Sequence, residues 1–351
     1  MAEYYPKVGV CYEHAERQKI YMIYTFRCNA ACDHCLVQSN PQRREKLTPE
    51  TAIEILETGA RYGKRFLDLS GGEATLYLSE LLDVIRAAKD LGYYICLNSN
   101  AYWARTPERA VRTLEKLKAA GLDALFPSAS AYHIEYIPSL CVRNAREACR
   151  DLGIVYELNW VTSDRPEIDT QLKTELGLDA ETIFFDGLTT EGNDSKTIER
   201  LQALYTKRVP EDIDDCLSVH MGVNPHGHVV TSCNMTNQNE KFRDTPFFLG
   251  NFLEEPFEDI LRREQESPAL QFIYSNPHPA LHRILLSDPR IASHYAETVA
   301  KRYYFGVIDY YIDVFRDPTI REFLDEELPA RARAGAPAAL RPEVAATLPA
   351  V

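Results

Sequence analysis

Three cysteines that lie close together are the residues best suited to chemistry. Cys28, Cys32 and Cys35 have the spacing Cys-x3-Cys-x2-Cys and follow a run of apolar residues that predicts a β-strand. Structural zinc takes four protein ligands, so three thiolates leave such a metal incompletely ligated. A [4Fe–4S] cluster bound by only three cysteines keeps one iron open to an outside ligand. The triplet therefore predicts such a cluster; a zinc site and a chance grouping of thiols are the alternatives.

A second motif lies at the end of the next predicted strand, where residues 70–73 read SGGE. Together with CNAACDHC at residues 28–35, it resembles the signature of the radical S-adenosylmethionine (SAM) superfamily and that superfamily's GGE motif. The resemblance covers roughly residues 19–190. One departure is His34, which stands where relatives often carry Tyr or Phe, and we expect it to cover the cluster or contact adenine.

The resemblance implies a mechanism. In this superfamily the amino and carboxylate groups of SAM chelate the open iron, and an electron from the reduced cluster cleaves the S–C5′ bond. The products are methionine and a 5′-deoxyadenosyl radical, which takes a hydrogen atom from the substrate. The cofactors carry the difficult chemistry, and the protein orients and protects them.

The resemblance also assigns residues. Cys28, Cys32 and Cys35 would bind the cluster. Gly71 and Gly72 would let the backbone approach the methionine amine, which a side chain would obstruct, and Glu73 would hold that geometry. Ser and Asn also favour turns at strand exits, which is the structural alternative for several of these positions. The full set expected to contact SAM is Gly71, Gly72, Glu73, Asn98, Asn100, Ser128, Ser130, Asn159 and Gly192, and Glu157 is expected to reach SAM or the substrate.

Many relatives carry a C-terminal SPASM or twitch module that binds auxiliary iron–sulfur clusters. Residues 216–233 resemble its opening hairpin, but no cysteine follows Cys233. An auxiliary cluster would therefore need a histidine ligand from this segment (His220, His226 or His228), and we expect instead a degenerate module that caps the barrel.

Four further residues are candidates for catalysis. Cys216 and Cys233 could donate a hydrogen atom to the substrate radical, as in epimerases of the superfamily; inert buried thiols are the alternative. His133 and Glu135 follow the fourth predicted strand, where they could bind substrate hydroxyls or move a proton. Packing within the loop is the alternative for this pair.

Short apolar runs alternate with amphipathic stretches, and this rhythm predicts the elements that position the motifs. Strands are expected at 19–26, 66–70, 94–98, 124–128, 155–162 and 182–186, and helices at about 48–62, 78–91, 106–120, 134–152 and 166–176. The strands recur about every 30 residues, the size of a βαβ unit, which fits either an open sheet or a partial barrel. The resemblance implies the barrel: an α/β fold, a partial (β/α)6 TIM-like barrel of parallel strands, with a mixed, mostly helical C-terminal extension.

The expected domain organisation follows from where this rhythm begins and ends. Residues 1–18 form an N-terminal extension and 19–190 the radical SAM barrel. Residues 191–330 form the SPASM- or twitch-like and helical capping region. Residues 331–351 are rich in Ala and Pro and are expected to be a disordered tail.

Composition excludes several classes of protein. The 351 residues include 52 acidic and 39 basic side chains, a formal charge of −13, which argues against a non-specific nucleic-acid binder. No apolar run approaches the roughly 20 residues of a transmembrane helix, and the N-terminus does not resemble a signal peptide. Nine cysteines in such a chain favour free thiols over a disulfide scaffold. We therefore expect a cytoplasmic protein that binds neither membrane nor nucleic acid.

Three functional readings remain at this point. The first is a biosynthetic enzyme that acts on a small polyhydroxylated molecule and takes electrons from a flavodoxin or ferredoxin. The second is modification of a ribosomally made peptide, whose enzymes in the superfamily often carry an N-terminal leader-binding domain. Only some 18 residues precede the first predicted strand, which favours the first reading, although a separate leader-binding protein could supply the missing part. The third is a non-catalytic iron–sulfur or zinc protein.

Overall fold

The computed structural model describes eight parts of the chain: residues 16–178, 183–185, 192–204, 207–213, 220–231, 242–276, 279–305 and 307–335. None of the helices in these parts is long and apolar enough to cross a membrane.

The first half of the chain alternates strands and helices. Its strands are β1 (Lys19–Thr25), β2 (Phe66–Gly71), β3 (Tyr94–Ser99), β4 (Ala124–Ala129), β5 (Val155–Tyr156), β6 (Leu158–Trp160) and β7 (Ile183–Phe185). Its helices are α1 (Pro49–Arg61), α2 (Leu78–Asp90), α3 (Pro107–Ala120), α4 (Ser139–Leu152) and α5 (Pro166–Leu176). Local sequence explains the helix starts, since the side chains of Thr48 and Thr106 accept hydrogen bonds from Thr51 N and Arg109 N, the usual way to satisfy orphan N–H groups there.

Within its described residues, the second half is mostly helical and adds three strands. These strands are β8 (Met221–Val223), β9 (His228–Val230) and β10 (Phe248–Asn251). The helices are α6 (Ser195–Ala203), α7 (Phe257–Glu266), α8 (Pro268–Ser275), α9 (Pro279–Ser287), α10 (Ala292–Thr298), α11 (Val307–Arg316) and α12 (Pro318–Gly335).

All these strands belong to one sheet, in the order β10-β9-β8-β1-β2-β3-β4-β6-β7, with β5 paired to β4. The pairs from β8 through β1 to β7 are parallel, and β8-β9 and β9-β10 are antiparallel. The carboxyl ends of parallel strands meet at one edge, which is where the loops of such a fold place a site. The arrangement confirms the predicted α/β class with its helical C-terminal extension.

A buried ion pair joins the two halves. Lys64, in the loop before β2, donates to both carboxylate oxygens of Glu264 on α7, at 3.1 and 2.8 Å, and to the carbonyl of Arg17 at 2.8 Å. The side chains of Lys64 and Glu264 are only 4% and 6% exposed. All three ammonium protons are therefore used, which is what makes a buried charge tolerable.

Three predicted boundaries were wrong. The fifth strand is broken into β5 and β6. Helix α4 begins at Ser139 rather than at 134, because Pro138 precedes it and residues 130–137 form turns. Helix α12 continues to Gly335, so residues 331–335 are helical rather than part of a disordered tail. The sheet also includes strands that follow residue 190, since β8 pairs with β1; the predicted domain division stays a prediction.

Candidate active site

The cysteine loop leaves β1 at the carboxyl-terminal edge of the sheet. Cys28 and Cys32 are 9% and 7% exposed, Cys35 is half-buried, and all three contact one apolar cluster that includes Tyr132 and Ile198. The chain then turns back along β1. Cys28 N donates to the Asn40 carbonyl at 3.1 Å, and further backbone hydrogen bonds join the end of β1 to the segment that follows the cysteines. The structure therefore brings the three predicted ligands together in a closed loop.

Nitrogen donors lie close to the sulfur atoms of Cys28 and Cys35. Ala30 N lies 3.4 Å from Cys28 Sγ, Ser39 N lies 3.3 Å from Cys35 Sγ, and Asn100 Nδ2 lies 3.6 Å from Cys28 Sγ. Burial raises the pKa of the Cys28 thiol to about 12. A thiolate there needs such donors and a cationic partner, because metal ligands bind in the deprotonated form.

Two buried polar atoms beside Cys35 have no hydrogen-bond partner within the described residues: His34 Nδ1 and Ser39 Oγ. Such orphaned atoms fit a polar group held next to the thiols. In the described parts of the chain, no three His, Cys, Asp or Glu side chains are arranged as ligands of one metal ion. A cubic cluster differs, since each thiolate binds a different iron atom. The donor set and its surroundings therefore fit a [4Fe–4S] cluster on Cys28, Cys32 and Cys35.

The two glycines of the GGE motif pack against the backbone of the cysteine loop. A Cβ on Gly71 would lie 2.4 Å from the Thr25 carbonyl oxygen, and one on Gly72 would lie 2.2 Å from the Arg27 carbonyl oxygen. Gly72 N and Glu73 N donate to these same carbonyls at 2.7 and 2.9 Å. The motif is thus held to the cysteine loop by contacts that exclude side chains, and the expected approach of Gly71 and Gly72 to methionine stays a prediction.

Glu73 is fully buried and joins β2 to the end of β3. Its carboxylate accepts bonds from Thr75 N at 3.2 Å, Thr75 Oγ1 at 2.5 Å, Ser99 Oγ at 3.0 Å and Asn100 N at 2.7 Å. Burial raises the pKa of Glu73, and the donors oppose this shift. Glu73 therefore holds the loop after β3 in place, and its role toward the methionine of SAM stays a prediction.

Asn100 extends this connection to the cysteines. Its side-chain nitrogen lies 2.9 Å from Asn29 Oδ1 as well as near Cys28, and its oxygen accepts from Tyr102 N at 3.0 Å. Of the SAM contacts expected on this strand, Asn100 is the one that the structure places beside the cluster ligands.

Asn98 and Asn159 lie elsewhere, on one face of the sheet. Asn159 Nδ2 donates to Asn98 Oδ1, and Asn98 Nδ2 donates to a carboxylate oxygen of Asp68. Sequence reasoning missed Asp68. Its position in the strand could have revealed it: Asp68 lies between Leu67 and Leu69, whose side chains pack in the main core, so its own side chain points to the opposite face of the sheet.

The loop after β4 covers the cysteines with aromatic rings. Ser130 Oγ bonds His133 Nδ1 at 2.8 Å, and the His34 ring lies 4.8 Å from both the Tyr132 and the His133 rings. Burial lowers the pKa of His133 to about 4, so its ring is neutral near pH 7.

The other residues predicted on these loops have different partners. Glu135 forms a partly exposed ion pair with Arg165, so the structure does not pair it with His133. Ser128 lies at the end of β4 with its backbone in register with Asn159.

Gly192 belongs to a segment that clamps the cysteine loop from outside. A Cβ on Gly192 would lie 2.4 Å from the Asp33 carbonyl oxygen. Asn193 Nδ2 donates to the carbonyls of Cys32 and Ser39 at 3.0 and 2.9 Å, and Thr197 Oγ1 donates to Asp33 Oδ2 at 3.1 Å. The sequence singled out Gly192 for adenine, whereas Asn193, its neighbour, was missed.

The two proposed hydrogen-atom donors, Cys216 and Cys233, lie outside the described residues, and their roles stay predictions. Of the histidines considered for an auxiliary cluster, His226 and His228 have ring centroids 6.0 Å apart, and the ring centroid of His220 lies 5.7 Å from that of Tyr21.

Comparisons with known proteins add independent information. The chain is 27% identical over 158 residues to "Putative peptide biosynthesis protein YydG" of Bacillus subtilis (strain 168), covering 43% of this chain and 48% of the relative. It is 33% identical over 100 residues to "Probable GTP 3',8-cyclase" of Sulfurisphaera tokodaii, covering 28% of this chain and 30% of the relative. The chain thus spans half the length of these curated relatives or less.

A solved structure, "Native anSMEcpe with bound AdoMet", aligns with 90% of this chain and 99% of its own, at a TM-score of 0.46 and 12% identity. Residues 22–151 match the sequence profile of the Radical SAM superfamily. This range contains both the cysteine triplet and the GGE motif. The chain therefore contains a radical SAM domain, carried by residues 22–151.

Proposed function

We propose that this chain is a radical SAM enzyme that cleaves SAM at a [4Fe–4S] cluster and takes a hydrogen atom from its substrate. The observation that carries the proposal is that Cys28, Cys32 and Cys35 pack together in one loop, and that backbone hydrogen bonds join this loop to the GGE motif. When bound, the cluster and SAM supply the reductive cleavage of the S–C5′ bond and the carbon radical that removes the hydrogen atom.

The protein's own residues bind, orient and shield. The three cysteines hold the cluster. Gly72 and Glu73 fix the turn that faces it, and Asn100 joins this turn to Cys28. The rings of Tyr132 and His133, both in contact with the ring of His34, cover the loop against water. A dry, preorganised site protects a reactive radical from side reactions.

For the substrate we propose a small polyhydroxylated molecule of the sugar, nucleoside or aminoglycoside type, used in natural-product biosynthesis. Its radical would lead to epimerisation, dehydrogenation, dehydration or decarboxylation. The polar side chains of Asp68, Asn98 and Asn159 on one face of the sheet support a hydroxyl-rich substrate. The electron would come from a flavodoxin or ferredoxin.

A second candidate is the modification of a ribosomally made peptide. The observation that favours it is the name of the Bacillus subtilis relative, a peptide biosynthesis protein. The other curated relative is named for a GTP cyclase, so the relatives support both small-molecule and peptide substrates.

Anaerobic reconstitution tests the proposed function. The wild-type protein should bind about four irons and four sulfides per chain and form 5′-deoxyadenosine from SAM and dithionite. Cys28→Ala should form none. Cys149→Ala is the matched control, because Cys149 is a fully buried thiol in α4, and it should bind iron and form deoxyadenosine as wild type does. Deoxyadenosine from Cys28→Ala would contradict the proposal, and a wild-type protein that binds iron but cleaves no SAM would be a non-catalytic iron–sulfur protein.

A further inference from the structure

The side-chain amide of Asn100 lies beside Cys28 in a fixed orientation. Asn100 is only 6% exposed. Its Oδ1 accepts a hydrogen bond from Tyr102 N at 3.0 Å, so the Nδ2 group faces the cysteine loop. Nδ2 carries two protons; one serves Asn29 Oδ1 at 2.9 Å, and the other serves Cys28 Sγ at 3.6 Å. Both donors of the amide are therefore used, one of them on a predicted cluster ligand.

The backbone around Asn100 is also held in place. Asn100 N donates to a carboxylate oxygen of Glu73 at 2.7 Å. The next residue, Ala101, has a φ of +58°, in the left-handed region that a residue with a Cβ rarely adopts. Such strain persists where surrounding contacts determine the conformation, and here Ser99 Oγ accepts a hydrogen bond from Ala101 N at 3.0 Å. The turn therefore keeps the Asn100 amide directed at Cys28.

The surroundings of Cys28 otherwise oppose negative charge. Burial and the Glu73 carboxylate both raise the pKa of the Cys28 thiol. Two N–H donors of the described residues act in the opposite direction, Ala30 N at 3.4 Å and Asn100 Nδ2 at 3.6 Å. A hydrogen bond is electrostatically stronger in a poorly solvated interior than in water. Of the two donors, only that of Asn100 belongs to a side chain, so a substitution can remove it.

A hydrogen-bond donor on a cluster ligand affects how easily the cluster is reduced. The reduction potential of an iron–sulfur cluster depends on hydrogen bonds to its sulfur atoms, as well as on its charge and exposure. One electron from an external donor makes the cluster and its thiolates more negative by one charge, without any bond made or broken. An N–H group beside a thiolate favours the more negative form, because hydrogen bonds to an ionised acceptor are the stronger kind.

We propose that Asn100 raises the reduction potential of the [4Fe–4S] cluster by donating a hydrogen bond to the Cys28 thiolate. Asn100 acts through Cys28, and the Glu73 carboxylate and the turn at Ala101 hold its amide in position. This role differs from the contact with SAM that the sequence predicts for Asn100, because it operates before SAM binds. The proposal rests on the function proposed above, since it requires a cluster bound by Cys28.

The test is a redox titration of the anaerobic, reconstituted protein in the absence of SAM, followed by the electron paramagnetic resonance signal of the reduced cluster. Asn100→Leu removes the donor and keeps a similar side-chain volume. At a fixed solution potential, its ratio of reduced to oxidised cluster should be about three- to tenfold below that of wild type, a part of what a hydrogen bond to a charged group contributes. A tenfold change corresponds to a shift of about 59 mV to more negative potential for one electron.

Asn100→Ser should shift the potential in the same direction and by a similar amount. A serine hydroxyl can still accept a hydrogen bond from Tyr102 N, as in other turns, but it is too short to reach Cys28. This variant keeps the turn and decides the question if leucine disturbs it, and iron per chain and circular dichroism check both variants. The matched control is Asn144→Leu, because Asn144 is a buried amide of α4 that donates to the Ala104 carbonyl at 2.8 Å. Its potential should equal that of wild type.

Unchanged potentials in both Asn100 variants would overturn the proposal, because a residue that only contacts SAM does not affect the cluster in its absence. A shift to more positive potential, or an equal shift in Asn144→Leu, would overturn it as well. These outcomes differ from a failure of the proposed function. A wild-type protein that cleaves no SAM while its variants show the expected shifts would refute the proposed function alone, whereas a wild-type protein without a cluster would refute both.

Discussion

Replacing Gly72 by Ala should dislodge the cysteine loop, and the geometry allows the size of the effect to be worked out. The new Cβ would lie 2.2 Å from the Arg27 carbonyl oxygen, 2.5 Å from its carbonyl carbon and 3.0 Å from Cys28 N. Real Cβ contacts do not fall below 3.0 Å, so the Arg27–Cys28 peptide must move by at least 0.8 Å, the difference between 3.0 and 2.2 Å. The three atoms nearest to the new methyl group all belong to the backbone, so the closest contacts cannot be relieved by moving a flexible side chain.

Overpacking of this kind costs about 1–3 kcal/mol. The displaced peptide carries Cys28, so the loss should also appear at the cluster. Gly63→Ala is the control, because Gly63 has a φ of +82° with nothing within 4 Å of its Cβ; it should lose only the roughly 1 kcal/mol of left-handed strain. Gly71→Ala combines both faults, with a φ of +138° and a 2.4 Å contact to the Thr25 carbonyl oxygen, and should be the least stable of the three.

The assay is the denaturation midpoint of each variant together with iron per chain after anaerobic reconstitution. We expect Gly63→Ala to keep its full iron content while Gly72→Ala and Gly71→Ala lose most of it. If Gly72→Ala bound iron like wild type and were no less stable than Gly63→Ala, the steric reasoning would be refuted.

Two other substitutions test contacts between segments that are far apart in the chain. Lys64→Met should lower stability by about 3–5 kcal/mol, because it leaves Glu264 buried without its ammonium partner. Arg86→Met, which breaks an exposed ion pair with Asp83, should lower stability by under about 0.5 kcal/mol. Denaturant titration compares the two variants. Equal losses of stability would show that burial does not determine the contribution of the Lys64–Glu264 pair. Asn193→Ala should speed iron removal by a chelator roughly tenfold, since two loop carbonyls lose their donor. The control is Asn276→Ala, which removes a bond to the Phe272 carbonyl at the end of α8 and should not change the rate of iron removal. Equal rates of iron removal from the two variants would contradict a clamping role for Asn193.

Local patterns in the sequence predicted the parallel strands and helices of the first half closely. Helix α3 illustrates why: Thr106 caps its start, Gly121 takes a left-handed conformation at its end, and an apolar stripe lies between. Each of these signals involves neighbours along the chain. The boundaries failed where a single residue interrupts the pattern, as Pro138 does before α4.

The site was predicted to the extent that its chemistry depends on residue type and spacing. Three cysteines within eight residues, followed one strand later by two glycines and a glutamate, predicted a cluster-binding loop and a turn beside it, and the structure packs that loop and that turn together. The same reasoning assigned Asn98 and Asn159 to SAM, whereas in the structure their bonds lead to Asp68. Strands β3 and β6 are separated by β4, so a contact between their side chains depends on the curvature of the sheet.

By itself, the sequence determined which residues can bind an iron–sulfur cluster and which segments form strands and helices, because thiol chemistry and hydrophobic periodicity are local properties. Tertiary structure alone decided that β8 pairs with β1, that the Arg27 carbonyl excludes a side chain at Gly72, and that Asp68 accepts a bond from Asn98. These contacts join residues far apart in the chain, and they form only when the packed sheet sets the distances between its strands.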